Sequence, residues 1–386
     1  MNSIRKARTA AAGRWLQAAL CFALAASAHA QTALDDFDPA TSGSVSAVLA
    51  LPDGKVLLGG TFATVGGQAQ QNLARVRADG SLDTAFTAEA DGTVVAFLRQ
   101  SDSKVLVGDF FTAIDDIGRQ HIARLNADDS LDMTFDPSAT GGSSQAVLGL
   151  ALQTDGKILI AGQFTHVGGA AHDGVARLNA NGGVDAAFNA HVGESVSAVA
   201  PQPDGRVVIG GGFTHVDGQS HSHIARLNAD GSVDGSFSAF FDASVATIVR
   251  QSDGRLLVGG SFGSPRIAVA RLSADGDLDD DFNLHIAGSR VMSIAIQRDG
   301  SFLIGGSFQF VNSVPRKNLA RFGADLALDE GFDIAIDGGG FSPIASISQP
   351  ANGITVLGGE FTTADGEPRG HGARLRDDDL FAGGFE

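Results

Sequence analysis

Histidines in two neighbouring segments are the residues with the clearest potential for chemistry. His166 and His215 hold equivalent places in "FTHVGG" and "FTHVDG", and His172 and His221 each follow six residues later. His221 and His223 alternate in "QSHSH", so on a strand they would share a face. Imidazole nitrogens are common ligands of transition metals. The pattern therefore predicts a candidate metal site formed by these five side chains.

A hydrogen-bonding role competes with the metal interpretation. His121, His223 and His371 stand two residues before an "AR" pair, where other parts of the chain have Asn72 and Asn318. Asn and His share the ability to donate and accept hydrogen bonds through a planar group. The interchange therefore favours a side chain that hydrogen-bonds to a turn, a role that needs no metal.

Aspartates beside glycine turns are the second group with possible chemistry. The segments "DGSLD", "DGSVD" and "DGDLD" begin at Asp79, Asp230 and Asp275, and each places two carboxylates four residues apart. Calcium favours such oxygens but takes six to eight of them, and each turn supplies two or three. A tight turn beside an Arg–Asp pair accounts for the same residues. We therefore expect no resident cofactor, with calcium or a transition metal as the alternatives.

Signals for catalysis are weaker than signals for structure. No G-x-S-x-G elbow lies between a strand and a helix, and the few glutamates fall at dissimilar places. Residues 31–386 contain neither Trp nor Tyr, the aromatic side chains that combine a flat ring with a polar group. We expect a non-enzymatic binding or scaffold module. The alternative is an extracytoplasmic enzyme or a metal-dependent lectin that uses the histidine-bearing rim loops.

A long internal repeat must position all these residues. The phrase "DGKVLLGGTF" at 53–62 has six counterparts, whose closing Phe residues stand at 62, 111, 164, 213, 262, 308 and 361. The units are 46 to 53 residues long, and apolar β-forming runs alternate with Asp-Gly turns in each. This periodicity predicts an all-β, seven-bladed β-propeller over residues 31–376, with four antiparallel strands per blade.

Each unit also repeats an arginine followed, eight residues later, by an aspartate. The arginines are Arg75, Arg124, Arg177, Arg226, Arg271, Arg321 and Arg374, and the aspartates are Asp83, Asp132, Asp185, Asp234, Asp279 and Asp329. We expect each pair to meet on adjacent strands of one blade.

The seventh arginine has Ala382 eight residues later, so its aspartate must come from elsewhere. The segment "ALDDFDP" at 33–39 resembles "SLDMTFDP", which favours closure of the last blade by an N-terminal strand. The rival closure uses the C-terminal "DDDLFAGGFE", in which Phe385 stands at the matching interval.

The consensus "DGK-hydrophobic-GG-x-F … ARLNADGSLD-x-x-F" resembles the delta-60 repeat family of bacterial secreted and surface proteins. The resemblance covers residues 33–375, although Leu326 breaks the pattern in the sixth unit and the seventh lacks "NADG". It implies a propeller fold and an extracytoplasmic location, and it carries over no catalytic residues.

The termini and the charge bear on location and partners. Residues 1–30 combine four basic residues and no acid with an apolar run and a final "AHA", which is typical of a signal peptide. Removal of this segment takes away four positive charges and changes the net charge from −17 to −21. Residues 377–386 are predicted to form an acidic C-terminal tail.

The acidic surface of the protein argues against binding to nucleic acid or to anionic membranes, and no stretch after residue 30 predicts membrane insertion. We expect a periplasmic or extracellular protein whose partner is an unidentified protein or surface ligand; the oligomeric state is left open.

Cleavage after Ala30 is a prediction that intact-mass measurement can check. The full chain, expressed in a bacterial host with a C-terminal tag, should yield a protein that begins at Gln31. Ala30→Leu should block this cleavage because the site requires a small residue, whereas Thr32→Ala should not. A mature protein that retains residues 1–30 would contradict the prediction.

Overall fold

All regular secondary structure is β-strand in the residues that the computed structural model describes, which are 32–142, 144–349 and 354–377. No helix in those ranges has the length and apolarity needed to cross a membrane. The all-β class predicted from the repeat is confirmed.

Each repeat unit folds into an antiparallel sheet with an inner, a middle and a third strand. In the first unit these are Val45–Ala50, Val56–Gly60 and Leu73–Val76, and the middle strand pairs with both others. The middle strand is buried at every residue, which explains its continuous apolar sequence. Gly54, in the Asp-Gly turn between the first two strands, has φ of +84°, a conformation that glycine adopts without steric cost.

The same arrangement recurs along the chain. The inner strands are Val45–Ala50, Val94–Arg99, Ala146–Leu152, Val196–Pro201, Val245–Arg250, Ile286–Ile296 and Ser346–Ser348. The middle strands are Val56–Gly60, Val105–Asp109, Ile158–Gln163, Val207–Gly211, Leu256–Gly260, Phe302–Val311 and Ile354–Gly358. The third strands are Leu73–Val76, Ile122–Leu125, Val175–Leu178, Ile224–Leu227, Val269–Leu272, Leu319–Phe322 and Gly372–Asp377.

Two kinds of connection define the two faces of the molecule. The Asp-Gly turns, which follow the inner and third strands, lie on one face, which we call the turn face. The loops between middle and third strands, and the links into the next inner strand, lie on the opposite face, which we call the hairpin face.

Short hairpins occupy most loops of the hairpin face. They pair Thr64–Val65 with Gln68–Ala69, Ala113–Ile114 with Ile117–Gly118, His166–Val167 with Ala170–Ala171, His215–Val216 with Gln219–Ser220, the end of Phe302–Val311 with Val314–Pro315, and Thr363–Ala364 with Glu367–Pro368. Two links add the strands Ala139–Thr140 and Ile336–Asp337 to these hairpins.

The N-terminal strand lies on the outer edge of the last sheet. Thr32–Leu34 pairs antiparallel with Gly372–Asp377. Asp35 Oδ2 then accepts a hydrogen bond from Arg374 Nε at 2.6 Å. The two ends of the described chain therefore share one sheet, at the place that the "ALDDFDP" segment predicts. The rival segment around Phe385 lies outside the described residues.

The outermost element of the other units is shorter than the predicted fourth strand. In the first unit Leu82 forms a single bridge to Val76, and Asp83 N donates to Arg75 O at 2.8 Å. The chain then turns, because Phe86 N donates back to Asp83 O at 2.9 Å. The equivalent bridges are Leu125–Leu131, Leu178–Val184, Leu227–Val233, Leu272–Leu278 and Phe322–Leu328. The early turn brings the phenylalanine beneath the arginine, so the segment has no length left for a strand.

The core lies between neighbouring sheets. Val356 of the last sheet, for example, packs in one cluster with Val45 and Leu58 of the first. Similar clusters join the other neighbours. Each sheet therefore depends on the sheets beside it for burial of its apolar faces.

The inner strands surround a central cavity of about 460 Å³. Hydroxyl groups join the last inner strand to the first, since Ser346 Oγ accepts from Val48 N at 3.3 Å and Ser348 Oγ accepts from Ala50 N at 3.0 Å. Serine side chains thus satisfy donors on the free edge of an inner strand that faces this cavity.

Asp35→Asn should destabilise the protein by about 3 kcal/mol, because it leaves the nearly inaccessible guanidinium of Arg374 without its counter-charge. Urea denaturation followed by far-UV circular dichroism would measure the loss. Asp36→Asn is the matched control: its side chain is exposed, and the change should stay within about 0.5 kcal/mol. Equal effects of the two variants would show that the ion pair does not hold the N-terminal strand.

Candidate functional site

Every recurring arginine binds an aspartate and a phenylalanine of its own sheet. Arg177 Nε donates to Asp185 Oδ2 at 2.8 Å, and its guanidinium lies 4.8 Å from the centroid of the Phe188 ring. The same contacts are made by Arg75, Arg124, Arg226, Arg271, Arg321 and, with Asp35 and Phe37, by Arg374. The predicted pairing of arginine with the aspartate eight residues later is confirmed in six units.

A second cation binds the same carboxylate from the turn face. Lys157 Nζ is 2.9 Å from Asp185 Oδ2. Burial by itself raises the pKa of Asp185, but hydrogen bonds from Lys157, the backbone N–H of Ala187 and Arg177 outweigh it and lower the pKa to about 2. This carboxyl group is therefore ionised at neutral pH and is unsuited to donating a proton.

The arginines also reach the next unit. Arg124 Nη1 donates to Ala180 O at 2.6 Å, and Arg177 Nη1 donates to Ala229 O at 2.8 Å. Arg226 Nη1 does the same to Ala274 O at 2.7 Å. These acceptors lie in the "NADG"-type turns, so the repeated phrase is explained by contacts within and between sheets.

His166 and His215 lie on the exposed side of their hairpins. Each Nδ1 is 3.0 Å from the hydroxyl oxygen of the preceding threonine, Thr165 or Thr214. The other hairpins have Thr64, Ala113, Phe310 and Thr363 at this place. Such variety indicates that packing does not constrain the position.

His172 and His221 hold equivalent positions beneath the hairpins, where His172 is buried and His221 is half-buried. His172 is only 5% exposed, and burial followed by the nearby charge of His191 lowers its pKa. Burial also lowers the pKa of His221. The other units have Gln70, Arg119, Arg266, Arg316 and Arg369 there, all of which donate to backbone carbonyls. The position therefore favours a long side chain that carries a donor.

His223 belongs to a third kind of position, with left-handed backbone. Its φ is +67°, and the equivalent Asn72, His121, Gly174, Ala268, Asn318 and His371 have φ between +57° and +71°. Asn72 Oδ1 accepts from Phe62 N at 3.2 Å, and its Nδ2 donates to Ala90 O at 3.1 Å. The hydrogen-bonding interpretation of the Asn/His interchange is confirmed for asparagine, a residue that tolerates this conformation.

The five histidines thus fall into three structural environments. Among residues 32–142, 144–349 and 354–377, no group of three or more His, Cys, Asp or Glu side chains is arranged to hold a metal ion. The metal site at His166, His172, His215, His221 and His223 stays a prediction without support from this geometry. The same holds for calcium, because Asp79 Oδ1 accepts from Ser81 N and Oγ at 3.0 and 2.6 Å within its own turn.

The structure brings together one group that the sequence did not indicate. His191 Nδ1 lies 3.9 Å from Asp173 Oδ2, beside His172. The two side chains come together because Val192 N donates to Asp173 O at 3.1 Å. This hydrogen bond joins the link that carries His191 to the loop that carries Asp173. His285 holds the same place in another unit, three residues after its repeated phenylalanine, so comparison of the units did not single out His191.

Asp109 is an exception within the repeated framework. The other units have Gly60, Gly162, Gly211, Gly260, Gly306 and Gly359 at its place, where a Cβ would meet a backbone carbonyl oxygen at 1.8–2.3 Å. Asp109 has φ of +148° and is fully buried, and neither carboxyl oxygen has a partner in the described residues. Burial raises its pKa to about 8, and the N–H of Phe110 opposes this only weakly. The phrase "VLVGDFF", with Asp in place of the second Gly, was the available signal.

Exposed apolar side chains concentrate on the hairpin face. Of the six large ones in the described residues, five lie in its loops or links: Phe110, Ile117, Phe240, Phe310 and Phe341. Phe341 and Phe240 are the most exposed of these, at 68% and 58%. On the turn face, in contrast, Lys55, Lys104 and Lys157 each bind a carboxylate.

The sequence matches one protein-family model. The family is described as a β-propeller domain of unknown function, DUF5122, and six repeats match at residues 51–86, 100–135, 153–188, 202–237, 251–282 and 297–332. Together they cover more than half of the chain. No curated protein matches the sequence.

Solved structures of low sequence identity share the fold. The WD40 β-propeller domain of Doa1 is 16% identical with a TM-score of 0.56, over 92% of this chain and 98% of that domain. Virginiamycin B lyase from Staphylococcus aureus is 11% identical with a TM-score of 0.56, over 89% and 98%. The extracellular domain of a hybrid two-component system from B. thetaiotaomicron is 11% identical with a TM-score of 0.54, over 91% of this chain and 41% of that one. The structure is thus an all-β propeller.

Asp109→Gly should stabilise the protein, because it restores the residue of the other units and removes a buried carboxyl group without partners. The folded pKa of about 8 lies above the unfolded value of about 3.9. The native state therefore holds an extra proton between these values, and wild-type stability falls as pH rises from about 4 to 8. The gain should be roughly 1–3 kcal/mol near pH 4 and should grow up to pH 8.

Urea denaturation at several pH values would measure this gain. Asp116→Gly is the matched control, since Asp116 also has left-handed backbone (φ of +61°) but is exposed. Its effect should be small, because an exposed side chain with open surroundings contributes little to stability. A gain from Asp109→Gly that is equal at pH 4 and pH 8 would contradict the buried neutral carboxyl group.

Proposed function

The chain belongs to the DUF5122 β-propeller family, and on this basis we propose that it is an exported, non-enzymatic binding or scaffold module of the cell envelope or extracellular space. We further propose a ring of seven blades of the delta-60 type, with the N-terminal strand completing the last blade. The pairing of Thr32–Leu34 with Gly372–Asp377 and the hydrogen bonds between the last and first inner strands support this closure.

The observation that carries the binding function is the concentration of exposed phenylalanines on the hairpin face. Phe240 and Phe341 lie in links of this face, and Phe110 and Phe310 lie in its loops. Aromatic side chains contribute much of the binding energy at protein interfaces. Phenylalanine is the only aromatic amino acid of residues 31–386, so these side chains are the anchors that the chain can offer.

The structural role of the recurring arginines and aspartates also supports a binding function for the hairpin face. The repeated arginines and aspartates hold the sheets together, as Arg177 and Asp185 do. Loops vary more freely than the sheets that support them. The hairpin face therefore combines a rigid base with variable, partly apolar side chains, an arrangement suited to recognition of another macromolecule.

Site-specific photocrosslinking tests the proposal. A benzophenone amino acid is placed at position 240 or 341 of the tagged protein in its native host, and at Thr154 or Ser252 on the turn face as matched exposed controls. We expect defined cross-linked species from positions 240 and 341 and none from the controls. Mass spectrometry would then identify the partner.

Either of two results would overturn the proposal. Cross-links that are equally strong from both faces would indicate non-specific contact. Their absence from positions 240 and 341 in cells that export the protein would reject the hairpin face as a binding surface.

A further inference from the structure

Arg290, which is half-buried, and Phe341, which is exposed, form a cation–aromatic pair on the hairpin face. Arg290 immediately precedes Val291, which occupies the place of Val45 in the inner strand of its own unit. Its guanidinium carbon lies 3.4 Å from the centroid of the Phe341 ring, which belongs to the link into the next unit. The contact therefore lies where two neighbouring units meet, within the inner strand Ile286–Ile296 and before Ile294–Ile296, the part of it that lines the central cavity.

This pair differs from the repeated arginine–phenylalanine pairs in one respect. In those pairs the guanidinium lies over a ring and its Nε also donates to a carboxylate, as Arg226 does to Asp234 at 2.8 Å. Arg290 forms no ion pair with a carboxylate of the described chain, and its Nε is buried without a hydrogen-bond partner there. Burial lowers the pKa of Arg290, so the protein only partly compensates for its desolvation.

Glu360 positions the aromatic partner. Its Oε2 accepts hydrogen bonds from the backbone N–H groups of Gly340 and Phe341 at 3.0 and 2.8 Å. The carboxylate thereby holds the link in place, and its charge acts on Arg290 only from beyond ion-pair distance. The ring is kept against the guanidinium by hydrogen bonds that do not use the guanidinium itself.

We propose that Arg290 and Phe341 bind a carboxylate of an acidic peptide segment, with an apolar residue next to that carboxylate packing on the exposed part of the Phe341 ring. The inference rests on the proposed function, because it supplies the contact chemistry of the partner. A guanidinium held flat on an aromatic ring presents its edge for two parallel hydrogen bonds to a carboxylate. Phe341 is 68% exposed and offers apolar surface beside that edge.

The overall charge of the protein makes this recognition local. The net charge of −17 means that the protein as a whole repels anions at long range. Attraction of the peptide carboxylate must therefore come from groups in direct contact with it. This short-range attraction should persist at about 0.15 M salt, where the Debye length is about 8 Å. The peptide is therefore selected by contact with one guanidinium and not by the field of the whole protein.

Fluorescence anisotropy with synthetic peptides tests the site. The probe is a fluorescein-labelled, amidated Gly-Asp-Leu-Asp-Leu-Gly peptide, with the Asn-for-Asp peptide as its isosteric control, at about 0.15 M salt. We expect saturable binding of the acidic peptide that is at least about fivefold tighter than that of the control. Arg290→Gln should weaken it about tenfold, the loss of one charge-assisted contact. Arg290→Lys should restore only part of the affinity because it keeps charge without planarity.

Matched variants separate the site from net charge and from folding. Arg250 is exposed at the turn-face end of another inner strand, so Arg250→Gln removes the same charge and should leave the affinity unchanged. Glu360→Gln removes the nearby negative charge and should tighten binding of the acidic peptide. Circular dichroism melts of all variants would verify the fold.

Several results would overturn this site: no saturable binding, equal affinity for both peptides, or equal losses from Arg290→Gln and Arg250→Gln. Crosslinks from position 240 combined with any of these would reject the carboxylate site and leave the binding function standing. Specific peptide binding without any crosslinked partner would reject the proposed binding function and leave the carboxylate site standing.

Discussion

The structure depends on one buried interaction that is repeated around the molecule, in which an arginine binds an aspartate and lies on a phenylalanine. Burying a guanidinium is costly unless its donors are matched. Here Nε meets the carboxylate, the ring covers the planar face, and Nη1 reaches a carbonyl of the next unit, as in Arg177. Because these contacts cross from one sheet to its neighbour, the sheets are joined by directional bonds as well as by apolar packing.

The two faces of the molecule follow from this constraint. On the turn face, the lysines or arginines after the Asp-Gly turns bind the same aspartates, as Lys157 binds Asp185, so that sequence and geometry repeat closely. On the hairpin face the constrained places include the buried residue of each hairpin, such as Val167, the left-handed turn that follows it, the donor position of His172 and the left-handed position of His223. The exposed residues of the loops and links are free to vary. This freedom allows exposed groups such as Phe341 to appear without loss of the framework.

The sequence was a good guide to features that recur and a poor guide to features that occur once. The β class, the turns and the arginine–aspartate pairs were predictable because the repeat samples the same environment several times. The outer segment ending at Phe86 differs from the predicted strand because the ring must lie beneath Arg75. The histidines were grouped by sequence similarity, yet His166, His172 and His223 occupy three different structural environments. The contact between Arg290 and Phe341 has no counterpart in other units, so comparison of units did not reveal it. Asp109 stands out in the repeat as a departure from glycine, but the repeat does not show that its carboxyl group is buried without a partner.

The sequence by itself determined the repeating unit, its turns and the charged pairs, since each of these depends on residues at most a few tens of positions apart. Tertiary structure decided the partner of Arg374, which is Asp35 from the opposite end of the described chain. It also decided that Arg290 stacks on a ring supplied by the next unit and that Asp109 is buried without a partner. These features arise only when separate sheets pack together, because burial and the distance between two groups from different sheets are properties of the assembled core and not of either segment.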